Sequence, residues 1–239
     1  MIEKLLLKLR ARDVLSPEEG QALLDVIVDV EDVPTRKTII KRGETLSRSV
    51  LLVEGLMCRY KDLRNGRRQI TALHVAGDFL DLHGFTLKHL DHDVMSLSPA
   101  RVAYASHEAL TRVTEAFPHL TRLLWFSTNL DAAIHREWEL SLGQRTGPSK
   151  AAHLICELHT RLGIVGLVGD NHFELPINQT ELGECLGLTV VHTNRVLKEL
   201  RERGLAHFKN GTVTIHDMDR LKAFAEFDPT YLYLASFPR

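Results

Sequence analysis

Cysteine is scarce in this 239-residue chain: Cys58, Cys156 and Cys185 are the only three, and no two form a CxxC pair. An odd number without metal-ligand spacing predicts neither a disulfide framework nor a zinc cluster. A reducing cytoplasm is the compartment such a chain suits. Long apolar runs are missing too. Lys4, Lys8, Arg10 and Arg12 interrupt the apolar start, and no later stretch could cross a bilayer, so neither a signal peptide nor a membrane span is expected. Charge of one sign is also lacking, since 30 basic residues face 31 acidic ones for a net charge of −1. Binding to a polyanion therefore needs a local patch and specific contacts. No phosphate-cradling glycine loop, nucleophile elbow or HExxH pair occurs, so no enzyme activity is expected.

What is present is concentrated in Gln179 to Lys198, QTELGECLGLTVVHTNRVLK. Leu182, Gly183 and Leu186 give a first helix a buried face with a small residue at its closest approach. Gly187 supplies the turn, because the position after a helix favours positive φ and glycine has no Cβ to clash there. Thr189 is a good N-cap for a second helix. On that helix Thr193, Val196, Leu197 and Leu200 recur at helical spacing and face inward. Val191, Asn194, Arg195 and Lys198 lie opposite. An arginine fork suits guanine, an amide suits adenine, and an apolar group suits a thymine methyl. A helical hairpin with a solvated outer face fits the same stretch taken alone. The residues beyond the second helix favour a DNA reader: AHFKNGTVTIHD alternates around Asn210-Gly211, a strong hairpin signal. A helix-turn-helix followed by such a hairpin is a winged helix, with Lys209 at its tip placed to touch phosphate.

Upstream, Ile2, Leu5, Leu6 and Leu9 make one helical stripe. Ser16-Pro17-Glu18-Glu19 reads as a capping box opening a second helix that buries Leu23, Leu24 and Ile27. From about 33 to 110, short strands at 38–40, 49–53, 56–60, 69–74 and 101–105 alternate with glycine turns, which predicts an antiparallel sandwich or barrel. Residues 107–116 form a short helix. Phe117-Pro118 then opens a long one, whose seam Leu120, Leu123, Ser127, Leu130, Ile134 and Glu137, flanked by Leu124 and Trp138, approaches a seven-residue repeat and predicts a dimer interface. Gly143 and Gly147-Pro148 are the expected hinge. A helix over 149–162, a short strand at 173–176 and a last helix over 218–227 complete the chain, and the apolar tail DPTYLYLASFPR is expected to pack on it. The fold class is α+β: an N-terminal antiparallel, jelly-roll-like β-roll (1–116), a dimerisation helix (117–143) and a C-terminal winged helix-turn-helix (144–239).

In this order the elements resemble the Crp/Fnr superfamily of bacterial transcription regulators. The resemblance spans nearly the whole chain. It rests on Gly43, Gly55, Gly66 and Gly77-Asp78-Phe79-Leu80 in the roll, and on Leu182-Gly183, Gly187 and Arg195-Val196-Leu197 in the DNA-binding part. It implies a homodimer on a palindrome of double-stranded DNA, with RNA polymerase as a further partner. Arg195 matches the family arginine that pairs with guanine. Val191 stands where many members carry a glutamate, and Asn194 where they carry serine or glycine. A different half-site is therefore expected, still with a guanine under Arg195 and with a thymine methyl against Val190 or Val191. His192 either donates to DNA or covers the turn, and Gln179 and Thr180 are candidate phosphate contacts.

The sensing segment departs further. Family members that bind cyclic nucleotides hold the phosphate with an arginine-serine pair, because a buried phosphate needs a bidentate arginine and helix N–H groups. No arginine occurs between Arg68 and Arg101, so cyclic AMP in that mode is not expected. Residues 1–30 have no cysteine, so the family's iron–sulfur mode is not expected either. Asp81, His83 and His92 stand near the effector positions. With His74, His89, Asp91 and Asp93 they have side chains that metal or haem sites use, but histidines at unrelated loop positions are more often surface or core groups, and no metal site is assigned. The effector stays unknown. The competing function is a sensor of metal, haem or a small molecule whose winged helix contacts protein instead of DNA.

Overall fold

The computed structural model describes residues 1–239. The chain opens with α1 (Glu3–Arg10) and α2 (Pro17–Asp25). The Ser16 hydroxyl accepts from the Glu19 N–H, and the Glu19 carboxylate accepts from the Ser16 N–H. This reciprocal cap satisfies two donors that a helix start leaves free. Ile2, Leu5, Leu9 and Leu23 are buried, whereas Leu24 is 36% exposed. Ile27, expected inside the second helix, begins a strand.

Seven strands build the N-terminal half: β1 (Ile27–Val33), β2 (Thr38–Ile40), β3 (Arg48–Glu54), β4 (Leu56–Asp62), β5 (Arg68–Val75), β6 (Asp93–Ser96) and β7 (Ala100–Ser106). A four-residue helix, α3 (Gly84–Leu87), lies between β5 and β6. The strands form two antiparallel sheets, ordered β1-β7-β3 and β2-β6-β4-β5. Leu52 and Val102 of the first pack against Met57 and Val94 of the second. Sequence pattern does not reveal β1 because it is an edge strand exposed from Val28 to Asp32, so it has no buried face to impose a period. Gly77 shows why the turn after β5 needs glycine. Its φ is +89°, and a Cβ there would lie 2.7 Å from the Lys4 carbonyl, so α1 lies directly on this turn.

Helices α4 (His107–Ala116) and α5 (Pro118–Gln144) come next; the latter's 27 residues span about 40 Å. Only Arg145 and Thr146 separate α5 from α6 (Gly147–Ile164), and Gly143 lies inside α5. The glycines expected to form a hinge thus lie within helices, Gly143 in α5 and Gly147 as the first residue of α6, which Thr146 caps. The C-terminal half adds β8 (His172–Glu174), α7 (Gln179–Leu186), α8 (Val190–Glu202), β9 (Ala206–Lys209), β10 (Thr212–Ile215) and α9 (Met218–Ala225). Its sheet runs β8-β10-β9. Asn210 and Gly211 both take positive φ at the hairpin tip, as a two-residue primed turn requires. One hydrophobic core joins the halves: Leu73 and Val75 of β5 share it with Leu158 of α6 and Leu186 of α7. The tail folds back, with Arg12 donating to the Leu232 carbonyl and the Phe237 N–H donating to the Arg12 carbonyl. No helix is long and apolar enough to cross a membrane.

Candidate nucleic-acid interface

The helix-turn-helix is held by local contacts that leave its outer face free. Asn178 caps α7, accepting from the Glu181 N–H at 2.9 Å while the Glu181 carboxylate accepts from the Asn178 N–H at 2.7 Å. Gly187 ends the helix at φ +66°. Thr189 caps α8, and Thr193, fully buried, donates to the Thr189 carbonyl at 3.0 Å. A Cβ on Gly183 would sit 2.9 Å from the Thr193 hydroxyl and 2.8 Å from the Leu188 carbonyl. The two helices therefore touch at glycine, and a larger side chain there would open their angle.

Gln179, Thr180, Thr189, Val190, Val191, His192, Asn194, Arg195, Lys198 and Lys209 are all solvent-exposed. Val191, Asn194, Arg195 and Lys198 share one face of α8, opposite buried Thr193, Val196 and Leu200. Lys198 lies 3.6 Å from Glu202, and Glu199 is engaged with Arg203, so part of the positive charge is offset within the helix. The His192 ring is placed over the start of α6, where a Cβ on Gly147 would be 3.2 Å from Nε2. That placement favours the covering role over reaching into a groove.

Much of the expected dimer seam on the long helix packs within its own chain. Leu120 and Leu123 are buried within the subunit against α1, α2 and α4. Ile134 and Trp138 are buried in the core shared with the winged helix, and the Trp138 indole donates to Glu157. Ser127 and Leu130 are half-buried. Leu120, Leu123, Ile134 and Trp138 thus have partners in their own chain, and periodicity alone does not say which neighbour covers such a stripe. Trp125, Asn129, Ala132, Arg136 and Leu140 are exposed instead, at spacings of three and four, and Trp125 is 68% exposed.

Long-range contacts fix the C-terminal half to the roll. Arg161 of α6 donates to Glu157 at 2.9 Å, to the Leu73 carbonyl at 2.7 Å and to Asp78 at 3.0 Å. Gln69 of β5 donates to the Glu184 carbonyl at 2.6 Å, and Arg36 pairs with Glu181. These residues are far apart in sequence, and no local pattern announces them.

The effector candidates do not converge on one point. Asp81 is fully buried, accepts from the Val50 N–H at 2.6 Å through Oδ1, and leaves Oδ2 unpartnered. The His83 and His92 ring centres are 5.5 Å apart, and His92 contacts Asp91 at 2.9 Å. Burial, reinforced by Arg59, lowers both rings, His83 to about 4. Arg59, on β4, bridges the roll and α5, donating to the Leu80 carbonyl and pairing with Asp131. Nowhere do three or more His, Cys, Asp or Glu side chains gather as metal ligands would. Burial pushes all three thiols above their ordinary value, which makes them poor nucleophiles.

Burial pushes the Asp81 carboxyl up to about 7, against the opposing Val50 amide and Arg59. A carboxyl raised in the folded state supports stability below its unfolded value near 4, and that support is lost as pH rises toward 7. The stability of Asp81→Asn relative to the native protein is therefore expected to rise between about pH 4 and 7, by on the order of 1.4 kcal/mol per pH unit at most. Urea midpoints at several pH values check this, and parallel profiles would assign any pH dependence elsewhere.

Two family models match the chain. A Crp-like helix-turn-helix domain matches residues 149–224, and a cyclic nucleotide-binding domain matches residues 30–117. The transcriptional activator protein FnrA of Stutzerimonas stutzeri is 24% identical over 211 residues, covering 88% of this chain and 86% of that protein. A probable transcriptional activator of Rhizobium leguminosarum bv. viciae is 29% identical over 187 residues, covering 77% and 76%. The structure of FixK2 from Bradyrhizobium japonicum superposes with a TM-score of 0.75 at 23% identity, covering 82% of this chain and 96% of that one.

Proposed function

The chain belongs to the Crp/Fnr superfamily of transcription regulators, and we propose that it binds DNA as a homodimer whose two α8 helices read the half-sites of a palindrome. The exposed face of α8 carries this reading: a free arginine, an amide, a lysine and valines on a helix held at both ends. Arg195 takes a guanine, Val190 or Val191 meets a thymine methyl, and Asn194 completes the base contacts. Gln179, Thr180, Thr189, Lys198 and Lys209 hold the phosphates, and His192 keeps the α6 turn closed. Residues 1–116 act as the sensor, 117–143 as the pairing helix and 144–239 as the DNA-binding part. RNA polymerase is the partner that the bound dimer recruits or excludes, in the cytoplasm and without covalent chemistry.

Pairing runs along the exposed stripe of α5. A second copy set against this stripe would cover Trp125 and Leu140, which are exposed in the single chain. Half-site centres then lie about 34 Å apart, one turn of DNA. Trp125→Glu is expected to shift the protein from dimer to monomer in sedimentation, and an unchanged dimer would remove this stripe from the interface. Selection from random duplex DNA tests the function itself. A palindrome with that spacing is the expected result. Failure to enrich any sequence, with or without cell extract, would overturn the DNA assignment.

A further inference from the structure

A cavity of about 80 Å³ lies where α1, β4, β5 and the turn after it, α5, α6 and the C-terminal tail meet. Four cations line it, Lys8, Arg12, Arg59 and Arg161, together with the carboxylates Asp78 and Asp131. Three of the cations are matched. Lys8 pairs with Asp78, Arg59 with Asp131, and Arg161 with both Asp78 and Glu157 behind it. Arg12 has no carboxylate partner. It is only 4% exposed, donates to the Lys8 carbonyl at 2.9 Å and the Leu232 carbonyl at 3.1 Å, and leaves Nε without a partner. Carbonyl oxygens solvate a guanidinium without neutralising it. Burial lowers Arg12 to about 10, which leaves it charged at neutral pH. Arg239, stacked on Phe126 at 3.8 Å, adds positive charge nearby. His74 lines the same cavity with Nε2 unpartnered, and burial keeps it neutral.

A buried charge without a counter-charge is costly, and proteins normally pair it. The four lining cations face three carboxylates, and Arg239 adds further positive charge, so at least one negative charge is missing, and a monoanion is the smallest group that supplies it. The rest of the wall combines apolar Leu9, Leu82 and Ile134 with His74, His83, Ser127 and Thr128. The cavity volume is several times the ~10–15 Å³ needed to admit one water, so it has room for a small ligand of a few heavy atoms. We propose that this cavity binds a small monocarboxylate of acetate to propionate size, its head on Arg12 and its short stem on the apolar wall. Such a ligand touches the roll, the α6 helix of the winged-helix half and the tail at once. Occupancy therefore strengthens the docking of the halves, and its detection does not depend on how the protein meets DNA.

Thermal unfolding of the full-length protein, at constant ionic strength, tests the proposal. Sodium acetate and sodium propionate are expected to raise Tm saturably, as binding to the folded state alone requires. Chloride and phosphate are not, being too poor in apolar surface or too large and too charged. Arg12→Met is expected to abolish the rise. Ser127→Leu, which fills the cavity from α5, is expected to do the same and serves if Arg12→Met fails to fold. Equilibrium dialysis of radiolabelled propionate against native protein is expected to give about one bound molecule per chain. No saturable rise with either carboxylate, an equal rise with chloride, or an undiminished rise in both variants would overturn the assignment.

Discussion

Arg161→Ala is expected to lower the stability of the folded chain by about 3–5 kcal/mol, the range found when one partner of a buried ion pair is removed. Arg161 is 7% exposed and Glu157 fully buried. Without the guanidinium, Glu157 keeps only the Trp138 indole and the Tyr231 hydroxyl, at 3.1 and 2.9 Å. Two hydrogen bonds from neutral donors do not offset a carboxylate taken out of water. Asp78 fares better, because Lys8 still pairs with it. Burial opposes ionisation of Asp78, yet Lys8 and Arg161 together outweigh it and hold the carboxyl below the usual range. The same side chain also donates to the Leu73 carbonyl, so its loss removes a link between the roll and α6. The double variant Arg161→Met with Glu157→Gln should recover much of the loss, since no buried carboxylate is then left unmatched. Urea midpoints at neutral pH measure both effects. A loss below about 1 kcal/mol for the single variant would mean that the pair is screened as surface pairs are.

For Arg195→Ala the expected loss is about 1–3 kcal/mol at the selected operator, roughly 5- to 150-fold in Kd, with preference relaxed at one base pair of each half-site. The side chain is exposed on the outward face of α8, and truncation leaves buried Thr193, Val196 and Leu200 untouched. Folding stability should therefore change little, which separates this variant from Arg161→Ala. Lys198→Ala provides the contrast. A phosphate contact weakens binding to all sequences alike and lowers the salt dependence by about one counterion. Because Lys198 lies 3.6 Å from Glu202, its deficit should be the smaller of the two. Electrophoretic mobility shifts across a salt series distinguish the patterns. Equal affinity of Arg195→Ala and native protein for every sequence would move the reading role away from this face.

Short-range chemistry is what the sequence by itself determined. The turn at Gly187, the caps at Ser16 and Thr189 and the Asn210-Gly211 hairpin depend on residues within a few positions of one another, so composition and spacing specify them. The outward face of α8 was legible for the same reason, because a helix period places Val191, Asn194, Arg195 and Lys198 opposite a buried stripe. Only the tertiary structure decided the rest. The seam of α5 is an apolar stripe whichever neighbour covers it, and folding gave Leu120, Leu123, Ile134 and Trp138 to their own subunit while leaving Trp125 outside. β1 lacks a buried face, so its backbone pairing with β7 left no side-chain signature. The charges around Asp78 come from residues 8, 12, 78 and 161, which only the folded chain brings together. Whether an arginine is matched or unmatched is a property of that assembly, because the field at a buried charge comes from its neighbours in space.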